Sequence, residues 1–299
     1  MQAWGQTSAM HETDARNRAS RPRRRFWRGV AFVVLMLALA VIGYAWRVAP
    51  YSIEVSRHRV PMRVKEKLTV LQVSDLHARE FGRRELELLR VMNEVRPDVI
   101  VVTGDSVTAG TECRVAAQTL DQLNAPLGVY MVPGNWEYWM AAQQGSECVC
   151  PSKAVRCLHN EALELRDGLW LVGVDDALTG SADLPKAFER VPPEAEVLVL
   201  AHEPVVLDEL ARGGESARGG LVLAGHTHGG QICLPLLGPI VRPPGSGPYV
   251  SGWYTHANAR LYVSRGIGNS VIDARLVCGP EIPVFEIVPR LPGSPTPKR

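Results

Sequence analysis

From about Leu68 to Val288, short runs of Val, Leu and Ile alternate with segments whose apolar residues recur at helical spacing. "LTVLQVSDLH" reads as a strand, and "RRELELLRVMNEV" as a helix on which Leu86, Leu89 and Val95 share one face. "DVIVVTGD" gives a second strand, residues 114–124 a second helix and "GVYMVPGN" a third strand. "LWLVGVDD", "EVLVLAHEP", "GLVLAGHTHGG", "ARLYVSRGIGN" and "IPVFEIV" continue the series. Runs this uniformly apolar belong to strands covered on both faces, which predicts a layered α/β fold in residues 68–288. Residues 47–67 read as a linker and first edge strand, and the Pro-, Gly- and Ser-rich residues 289–299 as a disordered tail. No internal repeat is evident.

One run follows neither pattern. Gly29–Trp46 holds eighteen residues without a charge, enough to cross hydrocarbon as a helix, with Trp27, Tyr44 and Trp46 at its ends. Residues 1–28 before it are basic: seven Arg stand against Glu12 and Asp14, a net charge of +5. The positive-inside rule therefore keeps that segment in the cytoplasm and predicts a single-pass inner-membrane protein with its main domain on the periplasmic side. "PRRRFWR" fits a twin-arginine export signal as well as a topology signal, and the poor cleavage site in "AWRVAP" favours a retained anchor. The chain's total of +2 leaves about −3 for the rest, so no basic surface for nucleic acid is expected.

Five strands end on side chains able to bind a metal: Asp75 with His77, Asp105, Asn135, His202, and His226 with His228. Each has an ordinary reading alone, as a turn former, cap or satisfied core histidine. Five together at carboxyl ends of strands predict one site at the sheet edge. In extended backbone, residues i and i+2 point the same way, so each Asp/His or His/His pair supplies two ligands from one strand end. Asp105 can bridge two cations, and the mixture of imidazole, carboxylate and amide suits Mn, Fe or Zn. Two such ions about 3.5–4 Å apart serve in-line displacement at phosphorus. Gly104, Gly134, Gly225, Gly229 and Gly230 suggest a backbone that substrate can approach closely.

"SDLH", "TGDS", "GNWE", "LAHEP" and "GHTHGG", in this order and spacing, resemble the calcineurin-like metallophosphoesterases over residues 68–288. "HGGQICLP", "LYVSRGIGN" and "PEI" are similar to a bacterial membrane-associated branch of phosphodiesterases and UDP-diacylglucosamine pyrophosphatases. The resemblance implies a sandwich of two mixed β-sheets flanked by helices. It also implies a first metal on Asp75, His77, Asp105 and His228, and a second on Asp105, Asn135, His202 and His226. A hydroxide bound to that dinuclear centre would then attack a phosphodiester or pyrophosphate.

One position departs from the family. Its usual Gly-Asn-His carries the histidine that contacts phosphoryl oxygens and protonates the leaving group; here the position is Trp136. An indole N–H donates a hydrogen bond but does not give up its proton, so general acid catalysis is lost from this place. Three readings follow: a substrate whose leaving group needs no proton, with the indole packing on an acyl chain or base; an acid borrowed from elsewhere, His159 being the nearby candidate; or a catalytically weak metal- and ligand-binding envelope protein. Tyr138, Trp139 and Met140 beside the site, and the loop "PLLGPIVRPPG", suit a lipid-linked phosphate or a membrane-facing mouth, or else merely pack over the sheet edge. Arg242 and Arg265 are equally placed to meet phosphate or surface carboxylates. Of six cysteines, Cys148, Cys150 and Cys157 cluster, which fits a disulfide plus a free thiol, unpaired loop cysteines or, lacking any C-x-x-C, less well a zinc site.

Overall fold

The computed structural model describes residues 7–213, 220–256 and 259–290, with side chains from residue 24 onward. Most of the expected 289–299 tail lies outside these residues. Contacts divide the chain after Arg47 into two units. The first is α1 (Thr7–Arg47), which carries the apolar run. Among the described residues, one helical stretch, Arg24–Tyr51, is long and apolar enough to cross a membrane.

The second unit runs β1 (Glu54–Met62), β2 (Leu68–Val73), α2 (Arg83–Val95), β3 (Val99–Thr103), α3 (Arg114–Leu120), β4 (Val129–Val132), α4 (Asn135–Gln144), β5 (Arg156–Cys157) and β6 (Glu161–Arg166). It continues through β7 (Leu169–Gly173), α5 (Leu184–Phe188), β8 (Glu196–Leu200), α6 (Val206–Gly213), β9 (Gly220–Ala224), β10 (Cys233–Leu234) and β11 (Gly238–Pro239). β12 (Gly252–His256), β13 (Ala259–Val263) and β14 (Glu281–Pro289) complete it. Six strands form one sheet in the order β1-β14-β2-β3-β4-β5, and six form another in the order β12-β13-β9-β8-β7-β6. Both are mixed: β14 lies antiparallel to β2, and β6 and β12 lie antiparallel to their neighbours in the second sheet.

Alternation along each strand explains the layers. On β3, Val99 and Val101 face the other sheet, in a core shared with Leu171, Leu198, Leu223 and Phe285. Ile100 and Val102 face outward, against Leu88 and Val91 of α2 and Leu120 of α3. On the second sheet Val197, Val199 and Val222 meet Phe188 of α5 and Leu207 of α6. The result is helices, sheet, sheet and helices, the sandwich implied by the family resemblance.

Four local expectations need correction. The buried apolar face of α2 is Leu88, Val91 and Met92, an i, i+3, i+4 stripe; of the expected set Leu89 and Val95 pack half-buried against the same core, while Leu86 is 56% exposed. The second helix stops at Leu120 rather than 124. β14 runs to Pro289, so the first residue of the expected tail is paired, opposite Met62. All six cysteines are bonded: Cys113–Cys148, Cys150–Cys157 and Cys233–Cys278. The cluster does hold one disulfide, Cys150–Cys157, but Cys148 is no free thiol: it pairs with Cys113, 35 residues away, and Cys233 pairs with Cys278 across 45.

Candidate metal centre

β2, β3 and β4 are parallel neighbours in one sheet, and β8 and β9 in the other, so their carboxyl ends share an edge. Asp75, Asp105, His202 and His226 each stand two residues beyond the end of their strand, at Val73, Thr103, Leu200 and Ala224. Asn135 opens α4 just after β4. Backbone bonds stitch the loops together: Asp75 N–H donates to Gly104 O at 3.0 Å, His77 N–H to Asp105 O at 3.0 Å and Gly225 N–H to His202 O at 3.0 Å. The two sheets are joined where His226 N–H donates to Asp75 Oδ1 at 3.0 Å and Gln72 Nε2 to Ala224 O at 3.0 Å.

Convergence does not come from extended backbone. Asp75 (φ 51°), His77 (42°), Asp105 (54°), His226 (72°) and His228 (51°) all lie in the left-handed region. Such conformations are uncommon outside glycine and persist where surrounding structure over-determines them. Two of the glycines act differently from expectation. A Cβ on Gly104 would meet His202 Nδ1 at 2.5 Å, and one on Gly225 would strike Ser74 and Asp75. At those two positions the space is filled by side chains of the site rather than reserved for substrate, whereas Gly230 lines the cavity above the metal groups.

The side chains gather in two fully buried groups, Asp75 with His77 and His228, and Asp105 with His202 and His226. In the first, His77 Nε2 is 3.1 Å from His228 Nε2, which is 3.5 Å from Asp75 Oδ1. In the second, His202 Nε2 is 3.1 Å from His226 Nδ1. Asp105 Oδ2 lies between the groups, 3.2 Å from His202 Nε2 and 3.7 Å from His77 Nε2. Asn135 Oδ1, buried beside them, has no hydrogen-bond partner. A buried amide oxygen without a partner is costly unless something else satisfies it, and a cation does so.

Neighbours fix which ring nitrogen faces inward. His202 Nδ1 donates to Thr103 O at 2.8 Å and His226 Nε2 to Pro244 O at 2.5 Å, which turns His202 Nε2 and His226 Nδ1 inward and leaves the neutral His226 a free lone pair there. Burial lowers His77 and His226 to about 4 and takes His228 well below its usual value, so these rings are neutral. Burial likewise raises Asp75 to about 7. Burial pushes Asp105 up too, but His202, His77 and His226 outweigh it and hold the carboxyl at about 2. His202 is the reverse case: burial disfavours its charge, yet Asp105 and Glu203 keep it protonated well above the ordinary range. A cation entering here displaces a proton from a site already shaped for positive charge.

Two residues outside the expected set hold this geometry. Glu137, fully buried, accepts from Asp105 N–H at 2.8 Å, Gly134 N–H at 2.9 Å, and Ser106 N–H and Oγ–H at 2.6 Å each. It clamps the loop after β3 to the start of α4; its signal in the sequence is the Gly-x-x-Glu spacing of a helix start. Arg275, also fully buried, donates to the carbonyls of Arg265, Gly266, Gly268 and Cys278 and to Asn269 Oδ1. Burial lowers it to about 9.

Other expected neighbours are elsewhere. His159 sits 3.7 Å from Asp175 and does not line the cavity above the metal groups; Tyr138 donates to the same Asp175 at 2.6 Å. Met140 is buried in the core behind the first sheet. Arg265 pairs with Glu54 and Glu281, and Arg242 donates to Gly247 O. Trp136 and Trp139 do reach the site. They stand edge to face at 5.3 Å and line a cavity of about 790 Å³ that opens onto Asp105, Asn135, His226 and His228. The Trp136 backbone N–H donates to Asp105 Oδ1 at 2.9 Å, and its ring meets His77 edge on at 5.5 Å.

Residues 68–230 match the family model described as calcineurin-like phosphoesterase. The uncharacterized metallophosphoesterase YkuE of Bacillus subtilis is 29% identical over 281 residues, spanning 89% of this chain and 97% of its own. The phosphodiesterase YaeI of Escherichia coli is 29% identical over 282 residues, spanning 89% and 99%. A transmembrane protein with a metallophosphoesterase domain from Bos taurus is 31% identical over 87% of this chain and 62% of its own length. Among solved structures, TT1561 of Thermus thermophilus covers 67% of this chain at 13% identity, with a TM-score of 0.44. The family match spans more than half of this chain and coincides with the loops that carry the buried Asp and His groups, so the chain belongs to the calcineurin-like phosphoesterases, hydrolases that act with bound metal.

Proposed function

We propose that the chain is a membrane-anchored hydrolase of a phosphodiester or pyrophosphate whose leaving group needs no protonation, with its catalytic domain on the periplasmic side. The observation that carries this is Asp105 Oδ2 standing between two buried histidine groups, beside an unpartnered Asn135 oxygen. Asp75, His77, Asp105 and His228 would hold one divalent cation, and Asp105, Asn135, His202 and His226 the other. When bound, such cations offset charge on the phosphoryl oxygens and lower the pKa of water.

The protein's own residues set the rest. Thr103 O and Pro244 O orient the two imidazoles of the second group, and Glu137 holds Asp105 and Asn135 in register. Water oxygen bonds to phosphorus and releases a proton to solvent as the bond to the leaving oxygen breaks, and that oxygen departs with its electron pair. Trp136 offers it no proton. Good leaving groups, pyrophosphates among them, lose least from this.

Three disulfides fit an oxidising compartment, and α1 fits an anchor or signal. The test of the leaving-group account is a series of aryl and alkyl phosphodiesters with rising leaving-group pKa. Trp136→His should raise turnover of the poorest leaving groups by about 100-fold while changing activated ones far less. An equal change across the series would refute a missing acid, and the absence of turnover throughout would favour a metal- and ligand-binding protein.

A further inference from the structure

The two metal groups differ in what stands behind them. Ligand charge alone favours the first, which offers the carboxylates of Asp75 and Asp105, over the second, which offers Asp105 and the amide of Asn135. The surroundings act against that count. Asp75 already accepts at both oxygens: Oδ1 takes the His226 backbone N–H at 3.0 Å, and Oδ2 takes the Ser74 hydroxyl at 2.5 Å and the same N–H at 3.1 Å. In the second group Asn135 Oδ1 has no partner and is free to bind.

The imidazoles differ more. A histidine is a better metal ligand when its other ring nitrogen donates to a carbonyl or carboxylate. His202 and His226 have that arrangement, with Thr103 O and Pro244 O. The neighbour of His228 Nδ1 is instead a donor, Nη2 of Arg275, at 3.4 Å. The Asn269 amide and the carbonyls of Arg265, Gly266, Gly268 and Cys278 hold that guanidinium in place. Because Arg275 is fully buried, its charge stays beside His228 with little screening.

Charge of the other sign flanks the second group. Asp176 and Glu203, both buried, each bring a carboxylate oxygen within 4.8 Å of a ring nitrogen of His202. A proton shared between them still leaves the pair anionic. A cation among His202, His226 and Asn135 therefore gains from nearby charge, whereas one beside His228 is opposed by it.

We infer that the two groups fill in order: Asp105, Asn135, His202 and His226 hold a resident cation, and Asp75, His77 and His228 an exchangeable one, with Arg275, acting through His228, setting the difference. The inference rests on the metallohydrolase reading and concerns how that site is regulated. A chain holding a single cation lacks half of its centre, so turnover should rise with occupancy of the weaker group. An outer partner of a metal-bound histidine is worth about 10- to 100-fold in affinity, which sets the expected gap.

The test is a Mn titration of the chelator-stripped full chain in detergent, with the electron paramagnetic resonance signal of aqueous Mn reporting the free ion. The unaltered chain should bind two Mn with dissociation constants at least about tenfold apart. Asn135→Ala, assigned to the second group only, should weaken the tighter step. His228→Ala should abolish the weaker step and leave the tighter one. Arg275→Gln removes the charge but keeps a donor for the carbonyls, and should tighten the weaker step by about tenfold. A purely structural role for Arg275 predicts the reverse, since a loosened loop would bind less well, and that result would overturn its assignment. Should Arg275→Gln fail to fold, the order is still decided: equal steps in the unaltered chain, or loss of the tighter step in His228→Ala, overturn it. Equal steps with phosphodiester turnover intact would do so and leave the hydrolase standing, whereas no bound Mn at all would remove both.

Discussion

Glu137→Gln exchanges one atom of a buried carboxylate and asks whether the loops after β3 and β4 hold the metal groups as a unit. One carboxylate oxygen takes the N–H groups of Asp105 and Gly134, the other the N–H and hydroxyl of Ser106, all within 2.9 Å. An amide nitrogen in either place points a donor at two donors. The Ser106 hydroxyl can turn away, but a backbone N–H held by its loop cannot. Each stranded buried donor costs about 1–3 kcal/mol, so the substitution should destabilise by about 2–5 kcal/mol. With a urea slope of about 3 kcal/mol/M, the unfolding midpoint of the metal-free full chain in detergent should fall by about 1 M. Elemental analysis after Mn loading should show less than the wild-type metal content, since Asp105 and Asn135 lose their common brace. An unchanged midpoint with full metal content would refute the reasoning.

Three further outcomes follow from charge, covalent bracing and compartment. Above about pH 6.5 unfolded histidine is neutral, so the buried neutral His77, His226 and His228 no longer tilt the folding balance. Asp75 (about 7), Glu203 (about 8) and His202 are all raised, so the folded metal-free protein keeps protons that the unfolded chain has released. Its stability therefore falls as pH rises from about 6.5 to 8, and Mn should reduce the slope; a rising curve in pH-resolved melts without metal would contradict this assignment. Replacing both Cys233 and Cys278 by Ser opens a link across 45 residues and should cost about 4 kcal/mol, seen as a lower thermal midpoint. Thiol labelling of membranes from expressing cells should find no reactive cysteine before reduction, whereas free thiols would place the domain on the cytoplasmic side.

How much could be read from the sequence depended on whether the signal was local. β2, β3, β8 and β9 were legible because uniformly apolar runs stop on Asp or His, and two-sided burial leaves no other use for such runs. β6 was missed because "EALELR" carries charges at half its positions and buries only Ala162, with Leu163 and Leu165 half-buried on the other face. β12 was missed because "GWYTH" is a mostly exposed edge strand whose pairing with β13 depends on tertiary context. The ligand residues were identifiable by type, yet the left-handed turns at Asp75, His77, Asp105, His226 and His228 have no local marker, since nothing in Asp or His demands that region. Glu137 carried a helix-start signature, but its second task, accepting from the loop after β3, joins residues 31 and 32 positions apart and appears only once strands are adjacent. The same holds for the cysteine pairs and for Arg275, whose burial among carbonyls no composition announces.

The most direct test of the account is kcat/KM for an activated aryl phosphodiester, with metal content measured on the same samples, for the full chain and for Asp105→Ala. The account predicts two cations per chain and turnover in the first. In the second it predicts loss of at least one cation and a fall of more than about 100-fold, beyond what losing an outer-shell partner brings. Two cations without turnover in the unaltered chain, or turnover that survives Asp105→Ala, would contradict it.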